Sequence, residues 1–368
     1  MRIQSMKRRT IAYGIVLVIF LGILALASCT SATPAVEKPQ TQPIKWKMTT
    51  SWPADIFPYT DGAKAICDRV VQLSNGRLLI EPYPTDALVA AFEVFDAVSQ
   101  GKVECGHSWP GYWRNKEPSF ELFSSIPNQM TQQEWLVWLY GPARGIDLWR
   151  ELYGKYGIVP FPGGLSGPEF GFFTNKPVRT LADFKGLKLR AVGIAADILN
   201  ELGATTVSLP MAEIMPAMKK GSIDGCEFGS PTIDWQLGFQ EVAKYVCLPS
   251  WHQPSAMYEI IVNSVAWAQL PDDLKAIFEA ACKEVSMVDY VAQLEGANVE
   301  YFRKFQQQGI DITVLDTDVV EQISDIATRL ANEQAAKDNF YARVFKSQRD
   351  FRADYRTWEQ WGDYKLYP

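Results

Sequence analysis

Histidine is nearly absent from this chain of 368 residues: His107 and His252 are the only two. That inventory leaves almost no room for a His-based catalytic triad or a multi-histidine metal site, and the HExxH, Walker and GxGxxG spacings are missing as well. Both histidines read as structural. Cysteine is scarce too, and no CxxC pair suggests a redox or zinc centre. Once Cys29 is set aside, Cys67, Cys105, Cys226, Cys247 and Cys282 form an odd number, read as buried free thiols, although an exported chain also permits pairing. Positive charge is in deficit. Residues 1–28 hold four basic residues (Arg2, Lys7, Arg8 and Arg9) and no acidic one, so the remainder carries 32 Lys and Arg against 42 Asp and Glu, a net charge of −10. A body of that sign does not suit nucleic acid or an anionic membrane surface.

What is present begins with a leader. A basic start, an apolar run from Ile11 to Ala27 and the small residues of Leu26-Ala27-Ser28-Cys29 have the layout of a secretory signal. The ending resembles a bacterial lipobox, which implies that Cys29 is the lipidated first residue of the mature chain. An uncleaved anchor is the alternative, since the run is at the lower limit of a membrane span. Residues 29–43 are rich in Ser, Thr, Pro and Gln and read as a tether. The body of about 330 residues is too long for one simple core and suits two domains.

The most informative stretch is Leu187 to Phe228. Leu187, Leu189 and Ala191 alternate with Lys188 and Arg190 as a strand; Ile194, Ile198, Leu199 and Leu202 then share a helical face, and Gly203 stands where a left-handed cap belongs. Thr205–Leu209 is a second strand, Met211–Lys220 a second helix, and Ile223–Phe228 a third strand. Pro216 is compatible with that helix only near its first turn. Alternating strands and helices imply parallel pairing, with ligands bound beyond the carboxyl ends of the strands. Arg190 and Glu227 sit at two such ends, so a cation and an anion face one crevice; a surface salt bridge, or two solvated charges, fits the same spacing.

Ile44 to His107 repeats this design. Phe92–His107 overlays Ala212–Glu227, with Glu93 on Glu213, Ala97 on Ala217, Gly101 on Gly221 and Glu104 on Asp224. Two similar α/β units predict two lobes facing across a cleft. Trp52 follows the first strand, and Gly106–Trp113 is an aromatic loop after the third. Aromatics there wall a pocket or simply pack, and Tyr112 is favoured for the pocket because its hydroxyl can donate. Met130–Tyr153 reads as helical. Pro162–Pro168 lacks the spacing of a phosphate loop or nucleophile elbow and reads as a flexible crossover into the second lobe, with Glu169 at the edge of the next strand, facing the crevice of Arg190. Tyr258–Asn263 is a strand returning to the first lobe, Pro271 to about Gln308 a long helix, Ile310–Leu315 a strand, and Thr317–Arg352 a charged helical segment that is solvated, braces both lobes or pairs two copies. Trp358, Trp361, Tyr364 and Tyr367 need a docking surface in this chain or another. The lobes are therefore expected at 44–160, completed by about 256–308, and at 161–255, completed by about 309–316, with 317–368 a terminal helical segment.

Several short motifs occur in an order more specific than any one of them: Thr49-Thr-Ser-Trp-Pro53, Ala97-Val-Ser-Gln-Gly101, Thr180–Arg190 with its Gly-Leu-Lys-Leu-Arg ending, Ser208-Leu-Pro-Met-Ala-Glu-Ile214, Gly221-Ser-Ile-Asp-Gly225 and Leu270-Pro-Asp-Asp-Leu274. Over nearly all of the mature length the chain resembles the extracytoplasmic solute receptors of TRAP (tripartite ATP-independent periplasmic) transporters, the DctP type. The resemblance implies a two-lobed, periplasmic-binding-protein-like α/β fold with two mostly parallel sheets, a ligand cleft between them and long C-terminal helices. It implies a non-catalytic receptor that hands a small organic acid to a membrane permease. Arg190 matches the arginine that clamps the substrate carboxylate, a task suited to a planar fork of donors. The chain looks most like the branch that binds 2-oxo or 2-hydroxy monocarboxylates with a metal ion. There Glu227 and the Phe228 carbonyl match a Glu-Trp pair of ligands, Gln253 falls where a further metal-binding Glu is usual, and Glu169 where a Gln contacts both metal and substrate. An acid and an amide are thus exchanged, the site charge is kept, and a hard cation such as Ca²⁺ or Na⁺ is implied. Two other classes stay open: a carbohydrate-binding or structural lipoprotein, since 12 tryptophans suit sugar stacking, and an exported hydrolase or lyase, for which no nucleophile or general base stands out.

Overall fold

The computed structural model describes residues 42–127 and 129–362. The leader, Cys29, most of the tether, Tyr364 and Tyr367 lie outside the described residues.

Strand β1 (Ile44–Thr50) buries Trp46 and Met48, and after a wide helical turn at Pro58–Lys64 helix α1 (Ala65–Leu73) buries Ile66 and Val70 against it. β2 (Leu78–Tyr83) lies parallel on one side of β1. Beyond α2 (Val94–Ser99), β3 (Cys105–Ser108) lies parallel on the other. The expected helix over 130–153 is two, α3 (Gln132–Tyr140) and α4 (Gly145–Gly154), broken at Gly141 and at Arg144, whose φ of 50° leaves the helical region. β4 (Ile158–Leu165) follows.

The second layer holds β5 (Phe172–Thr174), β6 (Lys188–Arg190), α5 (Gly193–Glu201), β7 (Thr205–Val207), α6 (Met211–Lys220), β8 (Gly225–Cys226), α7 (Pro231–Leu237) and β9 (Tyr245–Leu248). β10 (Met257–Asn263) returns to the first sheet and leads to α8 (Ser264–Gln269), α9 (Asp272–Glu284) and α10 (Tyr290–Gln307). β11 (Asp311–Val314), α11 (Thr317–Ala335) and α12 (Asn339–Gly362) end the described chain. The sheets run β2-β1-β3-β10-β4 and β11-β9-β5-β8-β6-β7. Each contains one strand, β10 or β5, antiparallel to both neighbours. Both are reached by a short link from the other sheet, β5 after 166–171 and β10 after 249–256.

The internal repeat is real down to its hydrogen bonds. After α2 and after α6 the chain turns through Gly101 (φ 68°) and Gly221 (φ 70°), a conformation glycine adopts without a Cβ clash. Lys102 N–H then returns to the Ala97 carbonyl at 2.9 Å, and Ser222 N–H to the equivalent Ala217 carbonyl at 3.0 Å. The overlaid acids do the same work: Glu104 accepts the Lys47 N–H of β1 at 2.8 Å, and Asp224 accepts the Lys188 N–H of β6 at 2.9 Å.

Three expectations change. Pro162–Leu165 is strand, not crossover, because Leu165 pairs with Met257; the crossing is confined to 166–171. The far half of α10 belongs with the second lobe, since Phe305 stacks edge-on against Phe170 at 5.4 Å. Pro216 sits in the second turn of α6, and is accommodated because that face is open to solvent, where water can take the carbonyl bond it forgoes. α11 packs on α5 and α12 on α3, α4 and the 118–123 turn, so the terminal helices brace both lobes. All five cysteines in the described region are free and buried.

Candidate functional site

Both sheets present the same edge to one gap. β1 ends into Trp52, β3 into Trp109 and Tyr112, β6 into Arg190 and Val192, and β8 into Glu227 and Phe228. These line one cavity with Glu169, Gln253 and Tyr258. All seven residues singled out from sequence for substrate or metal, Trp52, Tyr112, Glu169, Arg190, Glu227, Phe228 and Gln253, are brought together here.

Arg190 is 1% exposed. Its Nε donates to the Leu209 carbonyl at 3.1 Å, and its Nη1 donates to the Glu227 carbonyl and to Glu227 Oε1, both at 3.0 Å. Glu227 Oε1 also accepts the Val192 N–H at 2.9 Å, and the guanidinium lies 5.1 Å from the Phe228 ring centre. The pair is therefore no solvated surface bridge. The planar fork is held from below by main chain, and Tyr112 lies within hydrogen-bonding reach of it. Burial pushes the Tyr112 phenol up to about 12, so it keeps its proton.

Glu169 Oε1 accepts from the Ser166 hydroxyl at 3.1 Å, and its N–H donates to Ser250 Oγ at 2.8 Å. Burial, then Asp234 and Glu227, hold its carboxyl well above the usual range. Asp234, at the start of α7, accepts the Gly229 N–H at 3.0 Å through Oδ1, while Oδ2 has no partner; burial raises it too. Three buried carboxyl groups thus surround one guanidinium.

The Gln253 amide turns its oxygen toward the Glu169 carboxylate, acceptor against acceptor; exchanging its ends would place the nitrogen 2.7 and 3.2 Å from the two Glu169 oxygens. Among the described residues no three His, Cys, Asp or Glu side chains form a metal-holding group. The oxygen donors here are of a mixed kind: two carboxylates, one amide and a main-chain carbonyl. Carboxylate, amide and main-chain oxygens gathered in one buried gap are of the kind a hard cation takes.

The first lobe supplies the aromatic wall. Trp52 Nε1 donates to His107 Nδ1 at 2.6 Å, and His107 Nε2 contacts the Gly163 carbonyl at 2.7 Å, which assigns the proton to Nε2. Burial takes His107 down to about 4, so the ring is neutral and holds Trp52 over the gap. Tyr258 meets Trp52 edge-on at 5.4 Å. At the cleft mouth Arg114 bridges the buried Glu121 at 2.5 Å and Asp197 of α5 at 2.6 Å, tying one lobe to the other. On another side the Phe57 N–H donates to Gln236 Oε1 at 2.9 Å.

Sequence reasoning missed Trp109, Tyr258, Asp234 and His252. Trp109 and Tyr258 lay in segments recognised as loop and strand, and their distance from a strand end was the usable signal. Asp234 carried none. His252 was set aside as a lone structural histidine, yet its Nε2 is 3.4 Å from Glu169 and 3.5 Å from Glu227, with the ring 1% exposed.

A two-lobed α/β body with a buried arginine in its cleft defines a solute-binding protein. The sequence profile of bacterial extracellular solute-binding proteins, family 7, matches residues 48–338, and the chain belongs to that family. It is 30% identical over 336 residues, 91% of this chain and 92% of the relative, to a monocarboxylate 2-oxoacid-binding periplasmic protein of Nostoc sp.. Two TRAP transporter solute-binding proteins share the structure at a TM-score of 0.83 and 31% identity. One, from Bordetella bronchiseptica, covers 87% of this chain and 95% of its own, and is a mixed-occupancy dimer with copurified calcium and picolinate. The other, from Pseudoalteromonas atlantica, covers 87% and 97% and holds sodium and pyruvate. Among the described residues no helix is long and apolar enough to cross a membrane.

Proposed function

We propose that this protein is the extracytoplasmic receptor of a TRAP transporter, capturing a 2-oxo or 2-hydroxy monocarboxylate with one Ca²⁺ or Na⁺ and delivering it to membrane permease subunits. The observation that carries this is the buried Arg190 guanidinium beside three buried carboxyl groups in an interlobe gap. One fixed positive group anchors a small acid, and the surplus of carboxyl oxygen calls for a cation. Because Nε and Nη1 are held by protein oxygens, the Nη2 edge meets the substrate carboxylate, with the Tyr112 hydroxyl and the Trp52 face completing the pocket. Glu227, the Phe228 carbonyl, Gln253 and Glu169 hold the ion, which supplies positive charge to the 2-oxo or 2-hydroxy oxygen. Binding selects the closed arrangement of the lobes and no bond is broken.

In this reading Cys29 is the lipidated amino terminus, 29–43 a tether and the lobes the two sheets with their helices; mass spectrometry of the mature terminus would show diacylglyceryl-Cys29 or refute it. Trp358 and Trp361, 68% and 86% exposed, offer a surface for a second copy of the chain, which sedimentation would show as a dimer. The central test is a thermal-shift screen of pyruvate, other 2-oxo acids, 2-hydroxy acids and sugars, with and without Ca²⁺ or Na⁺. A ligand at about 100 times its Kd stabilises by about 2.7 kcal/mol. A 2-oxo acid shifting the transition only with the ion present is expected; a shift by sugars alone would overturn the proposal.

A further inference from the structure

His252 is the least explained side chain near the cleft. It lies between Trp251 and Gln253, its ring packed 5.3 Å from the Trp251 indole, and neither ring nitrogen has a hydrogen-bond partner. Buried polar groups left unpaired destabilise a fold, and a phenylalanine of similar shape would sit here without that cost. The ring is not idle in its direction. Nε2 faces the Oε2 atoms of Glu169 and Glu227 together, at 3.4 and 3.5 Å; these oxygens are not bonded to Ser166, Arg190 or Val192, and that of Glu169 also meets the Gln253 amide at 2.7 Å. A neutral imidazole carries one N–H, and placed on Nε2 it lies beside both carboxylates without a formed hydrogen bond to either.

We propose that His252 is a positioning residue for the cation site: its Nε2–H holds the Oε2 atoms of Glu169 and Glu227 in the orientation that receives the ion. The inference rests on the cation assigned above to those carboxylates. Outer hydrogen bonds to ligating carboxylates typically carry about 10- to 100-fold of metal affinity. At 3.4 and 3.5 Å both contacts are long for hydrogen bonds.

The test is His252→Phe, which keeps the shape and removes the donor, and His252→Gln, which restores an N–H. Calorimetry with CaCl₂ and with NaCl, at saturating pyruvate, reads ion affinity; calorimetry with pyruvate at saturating ion reads solute affinity. Phe should weaken the ion by 10- to 100-fold while solute affinity at saturating ion changes less than threefold. Gln should recover part of the loss, and the melting temperature of the metal-free Phe variant should equal or exceed that of the parent. A merely packed histidine would give unchanged ion affinity in both variants, which overturns the inference and leaves the receptor reading standing. If the parent chain itself binds pyruvate equally with and without either ion, the cation assignment falls and the inference with it.

Discussion

The contact between Glu169 and Gln253 allows the charge logic of the site to be tested without emptying it. Glu169→Gln removes one of three buried carboxyl groups around the guanidinium. A unit charge about 4 Å from a monovalent cation, at an effective dielectric of about 20, is worth about 4 kcal/mol. Part of this is offset, because burial and then the neighbouring acids raise the Glu169 carboxyl well above its usual range and so disfavour its charged form. A loss of one to three decades in ion affinity follows. Gln253→Glu instead sets two carboxyl groups where the amide now meets Glu169 at 2.7 Å; one must hold a proton or a divalent ion, so preference shifts from Na⁺ toward Ca²⁺. The double variant puts the acid on the opposite side of the same contact and restores the charge, so its ion affinity should return to within about tenfold of the parent. Contacting residues show coupling of about 0.5–3 kcal/mol, and here the cycle should give about 2 kcal/mol or more. Calorimetry of Ca²⁺ and Na⁺ with saturating 2-oxo acid reads all four proteins. Additive single effects, or a double variant as weak as Glu169→Gln, would refute the idea that acid and amide are interchangeable partners.

Three other perturbations test separate parts of the structure. Arg190→Ala should abolish carboxylate binding, but because Leu209 O and both Glu227 oxygen types lose their donor it should also destabilise the second lobe by about 3–5 kcal/mol; Arg190→Lys, which keeps the charge and loses the fork, should bind at least tenfold more weakly with a smaller loss on chemical denaturation, and equal affinity would refute the role of the fork. Glu259 of β10 accepts from Trp113 Nε1 at 2.6 Å and from the Tyr153 hydroxyl, and burial pushes its carboxyl to about 8. The folded state therefore keeps a proton that the unfolded chain releases near pH 4.5, so this group costs stability progressively from pH 4.5 to 8, by about 3 kcal/mol at pH 7; Glu259→Gln should flatten that slope in denaturant titrations, and an unchanged slope would remove Glu259 as its source. Asp197→Asn cuts the tie across the cleft mouth, and since Asp197 is 40% exposed the loss should be under about 1 kcal/mol, read in stopped flow as two- to fivefold faster solute release that fades at high salt; an unchanged rate would show that the bridge does not hold the lobes shut.

The resemblance to the family rested on short motifs in order, and the family profile confirms it. Much of the fold was also legible, because its signals are local. The alternation of Leu187, Leu189 and Ala191, the face made by Ile194, Ile198 and Leu199, and glycines at 101 and 221 each report a backbone state that a few neighbouring residues decide. The rule that ligands gather beyond strand carboxyl ends then drew Trp52, Tyr112, Arg190 and Glu227 into one region. Even the repeat, visible as Glu104 over Asp224, had a physical cause: each acid caps the N–H of its own first strand.

Other features were settled only when distant segments met. Whether Arg190 and Glu227 were a solvated pair or a buried one depends on Leu209, Val192 and the opposite lobe. Leu165 is strand only because Met257 lies beside it. Asp234 and His252 had no periodicity or motif to mark them, since a side chain's burial and its partners are set by what the rest of the chain places around it. The amino-acid order by itself determined the two α/β units and put Arg190 and Glu227 at strand ends; tertiary packing alone decided that these charges lose their water, and it is that packing that sets one guanidinium among three buried carboxyl groups in the cleft.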